Sequence, residues 1–67
     1  MFPNLRAEMA RRNITGNEMA EVLGITSGTF SAKYNGKADF TLPEAMMVKA
    51  ELKTELPLEV LFEPDEA

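Results

Sequence analysis

The sequence feature that most constrains the fold is a set of helix start and stop signals in residues 15 to 36. This stretch reads TGNEMAEVLGITSGTFSAKYNG, and Thr15 is followed three residues later by Glu18. In that pattern the hydroxyl accepts a hydrogen bond from a backbone amide of the first turn, and the carboxylate accepts one from the amide of the cap. Gly24 favours the left-handed conformation that ends a helix, and Thr26 can cap a second helix that ends at Asn35 and Gly36. The stretch therefore predicts two short helices joined by a tight turn.

Similar signals predict three more helices. Thr41 and Glu44 repeat the capping pattern, and Pro43 lies in the first turn, where its missing amide costs nothing. Pro57 opens a last short helix, and no segment alternates as a strand does. We expect Leu42, Ala45, Val48 and Leu52 to form the buried stripe of the fourth helix. The sequence thus predicts an all-α, compact single domain with helices over 4–12, 16–23, 27–35, 42–53 and 57–62, then an acidic tail over 63–67.

The composition argues against catalysis and against a metal site. The 67 residues include no cysteine and no histidine, so the commonest general base and the strongest thiol nucleophile are both missing. We interpret Glu63, Asp65 and Glu66 as a solvated tail and expect no enzyme activity, no metal and no cofactor. No run approaches the roughly 20 apolar residues of a membrane span, and the charged N-terminus does not resemble a signal peptide. A cytoplasmic location without membrane association is the expectation.

The spacing of small and apolar residues within residues 15 to 36 fits a helix-turn-helix. Two helices that cross steeply need a small residue at their closest approach, and Ala20 stands in that position. Gly24 follows four residues later, at the turn, and Phe30 falls where an apolar side chain must hold the second helix against the first. A chance match to these three requirements in a small helical protein is the alternative.

Charge is unevenly distributed along the chain. The net charge is −4, yet residues 1–38 hold five basic and three acidic residues, and residues 39–67 hold two basic and eight acidic ones. Such asymmetry favours one face that meets an anion while the other stays in water. The alternative is a solubilising surface whose charges are segregated by chance.

A helix-turn-helix determines which residues would meet DNA. The N-terminal turn of its second helix enters the major groove, so Ser27, Gly28, Ser31 and Ala32 are the predicted base contacts. These are small residues, which predicts shallow specificity and a share for water and DNA shape. The phosphates are predicted to meet backbone amides at the start of the first helix of the helix-turn-helix, together with nearby hydroxyls and cations. The predicted backbone contacts are Gly16, Asn17, Thr26, Thr29, Lys33, Asn35 and Lys37.

The runs LGITSGTFSAKYNGK, FTLPEA and LEVLF resemble, in order and spacing, the Cro and phage-repressor family of helix-turn-helix proteins. The resemblance extends from about Leu5 to Phe62 and implies a five-helix, lambda-repressor-like DNA-binding domain. It further implies a phage or prophage regulator that binds operator DNA, usually as a two-fold dimer. One departure is Gly16, where the family very often has Gln; only the backbone amide is left there to bind phosphate.

The last helix implies an interface. Leu58, Val60, Leu61 and Phe62 are too many apolar residues for one buried face, and the family commonly dimerises in this region. We expect Leu58 and Leu61 in the core and Val60 and Phe62 between subunits, with Phe62 folded back on its own chain as the alternative. We also expect one of Met46 and Met47 to be exposed on the fourth helix, where an adaptable methionine side chain suits a protein partner.

Two functions remain open at the level of the sequence. The first is a sequence-specific, DNA-binding transcriptional regulator of the phage Cro or repressor type. The second is a protein that modulates or antagonises another phage regulator, with weak or secondary DNA contact. The acidic net charge and the small residues of the predicted recognition helix favour the second function, whereas the cations near Asn35 favour the first.

Overall fold

The computed structural model describes residues 2–64, and these residues form five helices without strands. The all-α prediction is therefore confirmed for this part of the chain. Residues 65–67, the end of the predicted acidic tail, lie outside the described residues. No helix in the described part is long and apolar enough to span a membrane. The helices are α1 (Pro3–Arg12), α2 (Gly16–Leu23), α3 (Ser27–Tyr34), α4 (Leu42–Leu52) and α5 (Leu58–Leu61).

Helix ends follow the local signals of the sequence. Both predicted capping boxes are present: Thr15 Oγ1 accepts from the Glu18 amide at 3.1 Å, and Thr41 Oγ1 accepts from the Glu44 amide at 3.3 Å. The glycine that ends α2 adopts the left-handed conformation, with φ 72°. Asn35 and Lys53, predicted inside helices, are C-caps instead, so α3 and α4 are each one residue shorter than predicted.

The core lies where α4 meets the other helices. Helix α2 packs against α3 and α4, and α1 packs against α4 and α5. Ala20 is 2% exposed and Phe30 is 4% exposed, so the two residues predicted to join α2 and α3 are buried. Within residues 2–64 the buried apolar residues are Leu5, Met9, Met19, Ala20, Phe30, Val48, Leu52 and Leu61.

The apolar stripe predicted for α4 is only partly buried. Val48 and Leu52 are buried as predicted, whereas Leu42 is 64% exposed. Met46, one turn after Leu42, is 56% exposed. The prediction that Leu42 is buried was therefore wrong: in the described part of the chain this face of α4 is fully buried only toward its C-terminal end, at Val48 and Leu52.

The fold gives different surroundings to Val60 and Phe62, the two residues predicted to lie between subunits. The Phe62 ring packs against the same chain, with its centroid 5.1 Å from that of Phe40 and 5.8 Å from that of Phe2. This is the folded-back alternative, and it leaves Phe62 half-buried. Val60 is also half-buried, and its carbonyl accepts a hydrogen bond from Asn4 Nδ2 at 2.9 Å. Two residues apart on a helix point about 200° away from each other, so one flat contact cannot take both.

Candidate DNA-binding surface

The helix pair α2–α3 and its turn have the form of a helix-turn-helix. Gly24 reverses the chain in the left-handed conformation, and the Ile25 amide donates to the Ala20 carbonyl at 3.0 Å. Thr26 then caps α3 through the Thr29 amide at 3.1 Å. A positive φ costs glycine little, so a tight turn between the helices is possible here without backbone strain. Buried Ala20 and Phe30 hold the two helices together, and the exposed face of α3 points away from the core.

Small side chains cover the exposed face of α3. Ser27, Gly28 and Ser31 are exposed, and Ala32 is half-buried. A Cβ at Gly28 would meet no atom within 4 Å, so the face is open at that position. Asn35 Nδ2 donates to Ser31 Oγ at 3.2 Å, which links the last residue of this face to its middle. A face without long side chains lets a helix approach a base-pair edge closely.

The starts of α2 and α3 open onto one shared hollow of about 400 Å³. Four predicted contact residues, Gly16, Asn17, Ser27 and Ser31, line it, and the fold thereby brings residues of both helices together. Its apolar floor includes Phe30 and Tyr34, whose rings stack at a centroid distance of 5.7 Å. The remaining lining residues are Met9 and Thr15.

The N-terminus of α2 offers backbone amides to this hollow. The first helical hydrogen bond runs from the Met19 amide to the Thr15 carbonyl, and the capping box uses the amides of Thr15 and Glu18. The amides of Gly16 and Asn17 precede these bonds and are the donors that a helix start presents to an anion. The carboxylate of Glu18 is part of the same cap and brings a negative charge to it.

Three side chains predicted at the DNA backbone already donate hydrogen bonds within the protein: those of Thr26, Lys33 and Asn35. The Thr26 hydroxyl donates its proton to Thr29 Oγ1 at 2.9 Å, so Thr29 is the better placed hydroxyl donor toward a phosphate. Lys33 Nζ donates to Glu44 Oε1 at 2.8 Å and to the Asp39 carbonyl at 3.1 Å. The fold therefore does not present the Lys33 charge with the other predicted contacts.

The ion pair of Lys33 and Glu44 was missed by sequence reasoning. Glu44 was recognised only as a capping residue, and its side chain performs that role too, accepting from the Thr41 amide at 2.9 Å. The hydrogen bond from Lys33, followed by that from the Thr41 amide, lowers the pKa of the Glu44 carboxyl. The pair joins residues 11 positions apart in different helices, so no local signal could have indicated it.

Cations of α1 are also used within the fold. Arg11 Nη1 bonds to Glu8 Oε2 at 3.0 Å, and Arg12 Nη2 donates to the Lys53 carbonyl at 3.2 Å. Lys37, by contrast, is exposed directly after α3, where its amide donates to the Ala32 carbonyl at 2.8 Å. Within residues 2–64 no cluster of acidic side chains has the arrangement of a metal site.

Comparison with known proteins bears on this surface directly. A family model described as a Cro/C1-type HTH DNA-binding domain matches residues 4–57. Neither the curated proteins nor the solved structures yielded a match. The matched segment covers α1 from its second residue and all of α2 to α4, and hence the whole helix-turn-helix with the exposed face of α3. The family consists of DNA-binding regulators rather than enzymes. This chain therefore belongs to the Cro/C1-type family of helix-turn-helix DNA-binding domains.

Proposed function

We propose that the protein is a sequence-specific transcriptional regulator of the phage or prophage Cro and repressor type, acting on DNA in the cytoplasm. In this proposal α3 is the recognition helix and lies in the major groove of the operator. The observation that carries the proposal is the shared hollow, in which residues from the starts of α2 and α3 face the same open space. Helix-turn-helix proteins contact bases and phosphates from these two places at once.

Base contacts are assigned to Ser27, Gly28, Ser31 and Ala32. A serine hydroxyl both donates and accepts, and an alanine methyl can touch the methyl group of thymine. None of these residues forms the bidentate bonds by which Arg or Asn select one base, at about 1–3 kcal/mol each. Specificity should accordingly be modest per base pair, with part of it carried by ordered water and by the shape of the DNA.

Backbone contacts are assigned to the amides of Gly16 and Asn17 and to the side chains of Thr29, Asn35 and Lys37. Only one of these five groups is a full positive charge. Because few phosphates are neutralised, few counterions are released, so the overall dependence of affinity on salt should be weak and the affinity modest. The acidic residues of α4 and α5 need not prevent binding, because charges more than about 8–10 Å from a phosphate are largely screened at physiological salt.

We further propose that the active species is a homodimer, formed through what we call the α4–α5 surface: Leu42, Met46, Leu58 and Phe62. Leu42, Leu58 and Phe62 line a hollow of about 470 Å³. Leu58 and Met46 line a neighbouring one. Large exposed apolar side chains grouped on one face are typical of a protein interface. Val60 is left out of the interface in this proposal, for the geometric reason given above.

Selection of bound duplexes from a random pool, at about 50 mM salt so that weak phosphate contacts are retained, tests the DNA proposal. The expected result is an enriched inverted repeat whose half-sites lie about one helical turn apart. Binding without enrichment would contradict sequence-specific recognition. No binding at any sequence would contradict DNA binding as the function.

A second candidate function is favoured by the same apolar surface and the net charge of −4. In that function the protein modulates or antagonises another phage regulator by binding it, and DNA contact is secondary. The two candidates differ in what the α4–α5 surface holds: a second copy of this chain in the first, a different protein in the second. A wild-type protein that stays monomeric at high concentration, and binds no duplex, would favour the second.

A further inference from the structure

The ion pair between Lys33 and Glu44 links the recognition helix to the start of α4. Both side chains are largely buried, with 13% and 17% of their surfaces exposed. The Lys33 ammonium also binds the carbonyl of Asp39, in the loop between these helices. Glu44 Oε1 accepts the hydrogen bond from Lys33 Nζ, and the same oxygen accepts the hydrogen bond from the Thr41 amide that closes the α4 capping box. One carboxylate oxygen thus joins α3, the loop and α4.

Few other contacts hold this end of α3. Among the helices within residues 2–64, α3 packs closely against α2 alone. Beyond that packing, the Phe30 ring meets the Phe40 ring edge-on at a centroid distance of 5.9 Å. The position of α3 relative to α1, α4 and α5 therefore depends on its packing against α2, on the contribution of Phe30 and Tyr34 to the common core, and on the ion pair at its C-terminal end.

Lys33 also points away from the residues of α3 proposed at the base edges, Ser27 and Ser31. Each residue turns by about 100° around a helix axis, so Lys33 points about 200° away from Ser31. Its neighbours on that side are Asp39 and Glu44, whereas Ser27 and Ser31 line the hollow between α2 and α3. Its charge is neutralised and directed toward α4.

We propose that Lys33 and Glu44 are positioning residues for DNA recognition, whose ion pair sets the orientation of the recognition helix without contacting DNA. The inference rests on the proposed function and deepens it. A helix that enters a groove by its N-terminal turn needs a defined tilt, and a link at its C-terminal end sets that tilt. Lys33 accordingly affects DNA recognition by orienting α3, and Glu44 affects it by holding Lys33 in place.

The test compares Lys33→Met and Glu44→Gln with the wild type on a selected duplex, over a range of salt concentrations. Methionine keeps most of the stem of Lys33 without its charge, and glutamine can still close the capping box. Each single variant should lose affinity by about three- to tenfold. The double variant should lose little more affinity than either single variant, because both substitutions remove the same link. The slope of affinity against salt should stay unchanged, and Lys33→Arg should restore most of the affinity.

The opposite assignment, in which Lys33 contacts a phosphate, predicts different results. Lys33→Met would then reduce the salt slope by about one, and Glu44→Gln would raise the affinity by releasing the ammonium. Either of these two results would overturn the proposal. Lys37→Met is the matched control, since an exposed lysine proposed at a phosphate should show the reduced slope that Lys33→Met lacks.

A measurement without DNA separates this inference from the proposed function. Hydrogen exchange should become faster in both variants at the end of α3, at the amide of Asn35 (bonded to the Ser31 carbonyl at 2.9 Å) and at that of Lys37. Amides of α1 should exchange as in the wild type. Unchanged exchange at the end of α3 would overturn the link even if no duplex binds. Failure of the wild type to bind DNA, with faster exchange in both variants, would refute only the proposed function and the role of the pair in recognition.

Discussion

At the scale of single residues, the candidate surface is defined by side chains that are small. Gly16, Ser27 and Ser31 leave the hollow between α2 and α3 open, and the floor of that hollow is aromatic. A longer side chain at any of these positions would project toward the DNA. The small residues present thus form weaker individual contacts with DNA but allow the helix backbone to approach it closely.

Gly16→Gln should strengthen DNA binding. A Cβ at this position would lie 3.5 Å from the Phe30 ring, an ordinary van der Waals distance, so the fold has room for the first carbon of the side chain. The added amide group can donate to a phosphate beside the Gly16 backbone amide, and we expect affinity to rise by about fivefold, as one added hydrogen bond of about 1 kcal/mol gives. Duplex binding at about 50 mM salt measures it. Gly16→Ala is the control, because it adds the Cβ without the amide; an equal gain from both variants would contradict a phosphate contact.

The Glu44 carboxyl should make stability depend on pH. Its pKa is lowered in the folded protein by Lys33 first and by the Thr41 amide second, so the folded state favours the ionised form. That contribution to the free energy of unfolding is complete above the ordinary pKa of a glutamate and is lost as the pH falls through the lowered pKa. Denaturant unfolding of the wild type and of Glu44→Gln should show a difference that is largest at neutral pH and shrinks in acid. A difference that stays constant over this range would show that ionised Glu44 adds no stability.

At the scale of secondary-structure elements, α2, α3 and α4 each begin with a threonine cap, whereas the ends of the helices are less uniform. Helix α2 ends at a glycine, whereas α1 and α4 end at Asn13 and Lys53 in the left-handed conformation, with φ values of 58° and 52°. A left-handed residue with a Cβ costs about 1–2 kcal/mol, and asparagine tolerates it better than lysine. The end of α4 is therefore a weak point of the fold.

Lys53→Gly should stabilise the protein. Glycine removes the Cβ penalty and keeps the carbonyl that accepts a hydrogen bond from Arg12, but it also makes the unfolded chain more flexible. The net gain should be about 0.5–1 kcal/mol, seen in thermal unfolding as a rise in Tm of about 2–6 °C. Lys53→Ala removes the same charged side chain but keeps the Cβ, and it should not stabilise. A gain from alanine as large as that from glycine would point to the lost charge as the cause.

At the scale of the whole molecule, charge and apolar surface are divided between two faces. The starts of α2 and α3 and the exposed Lys37 form the face proposed for DNA, while most carboxylates belong to residues after 38. Leu42 and Met46 are the most exposed large apolar residues of the described part of the chain, and both belong to the α4–α5 surface. A protein of this kind can present one face to an anion and another to a protein.

Leu42→Glu should shift a dimer toward the monomer. A charge placed at the centre of an apolar interface must be desolvated when the subunits associate, which costs several kcal/mol without a partner. Helicity should be unchanged, because Leu42 is 64% exposed in the single chain. Sedimentation at several concentrations measures the association. Met47→Glu is the control: Met47 is 43% exposed but points about 100° away from Met46 around α4, so it should leave the dimer intact. A wild type that is already monomeric would refute the dimer.

Several parts of the fold and of the candidate surface could be predicted from the sequence. The two capping boxes, the left-handed Gly24 and the approach of Phe30 to Ala20 depend on residues close together in the chain, where hydrogen-bond partners and helical periodicity are set locally. The same periodicity identified the exposed face of α3. These features determine the helix-turn-helix, and with it the family to which the chain belongs.

Other features were decided only by the tertiary structure. Phe62 packs against Phe2, 60 positions earlier, and Leu42 is exposed although it belongs to the same predicted stripe as the buried Val48 and Leu52. Lys33 bonds to Glu44 and to the Asp39 carbonyl, so the fold directs a cation that the sequence predicted at DNA toward α4 and the loop before it. The physical reason is common to all three: helical periodicity states which residues share a face, but only the packing of distant segments decides what that face meets.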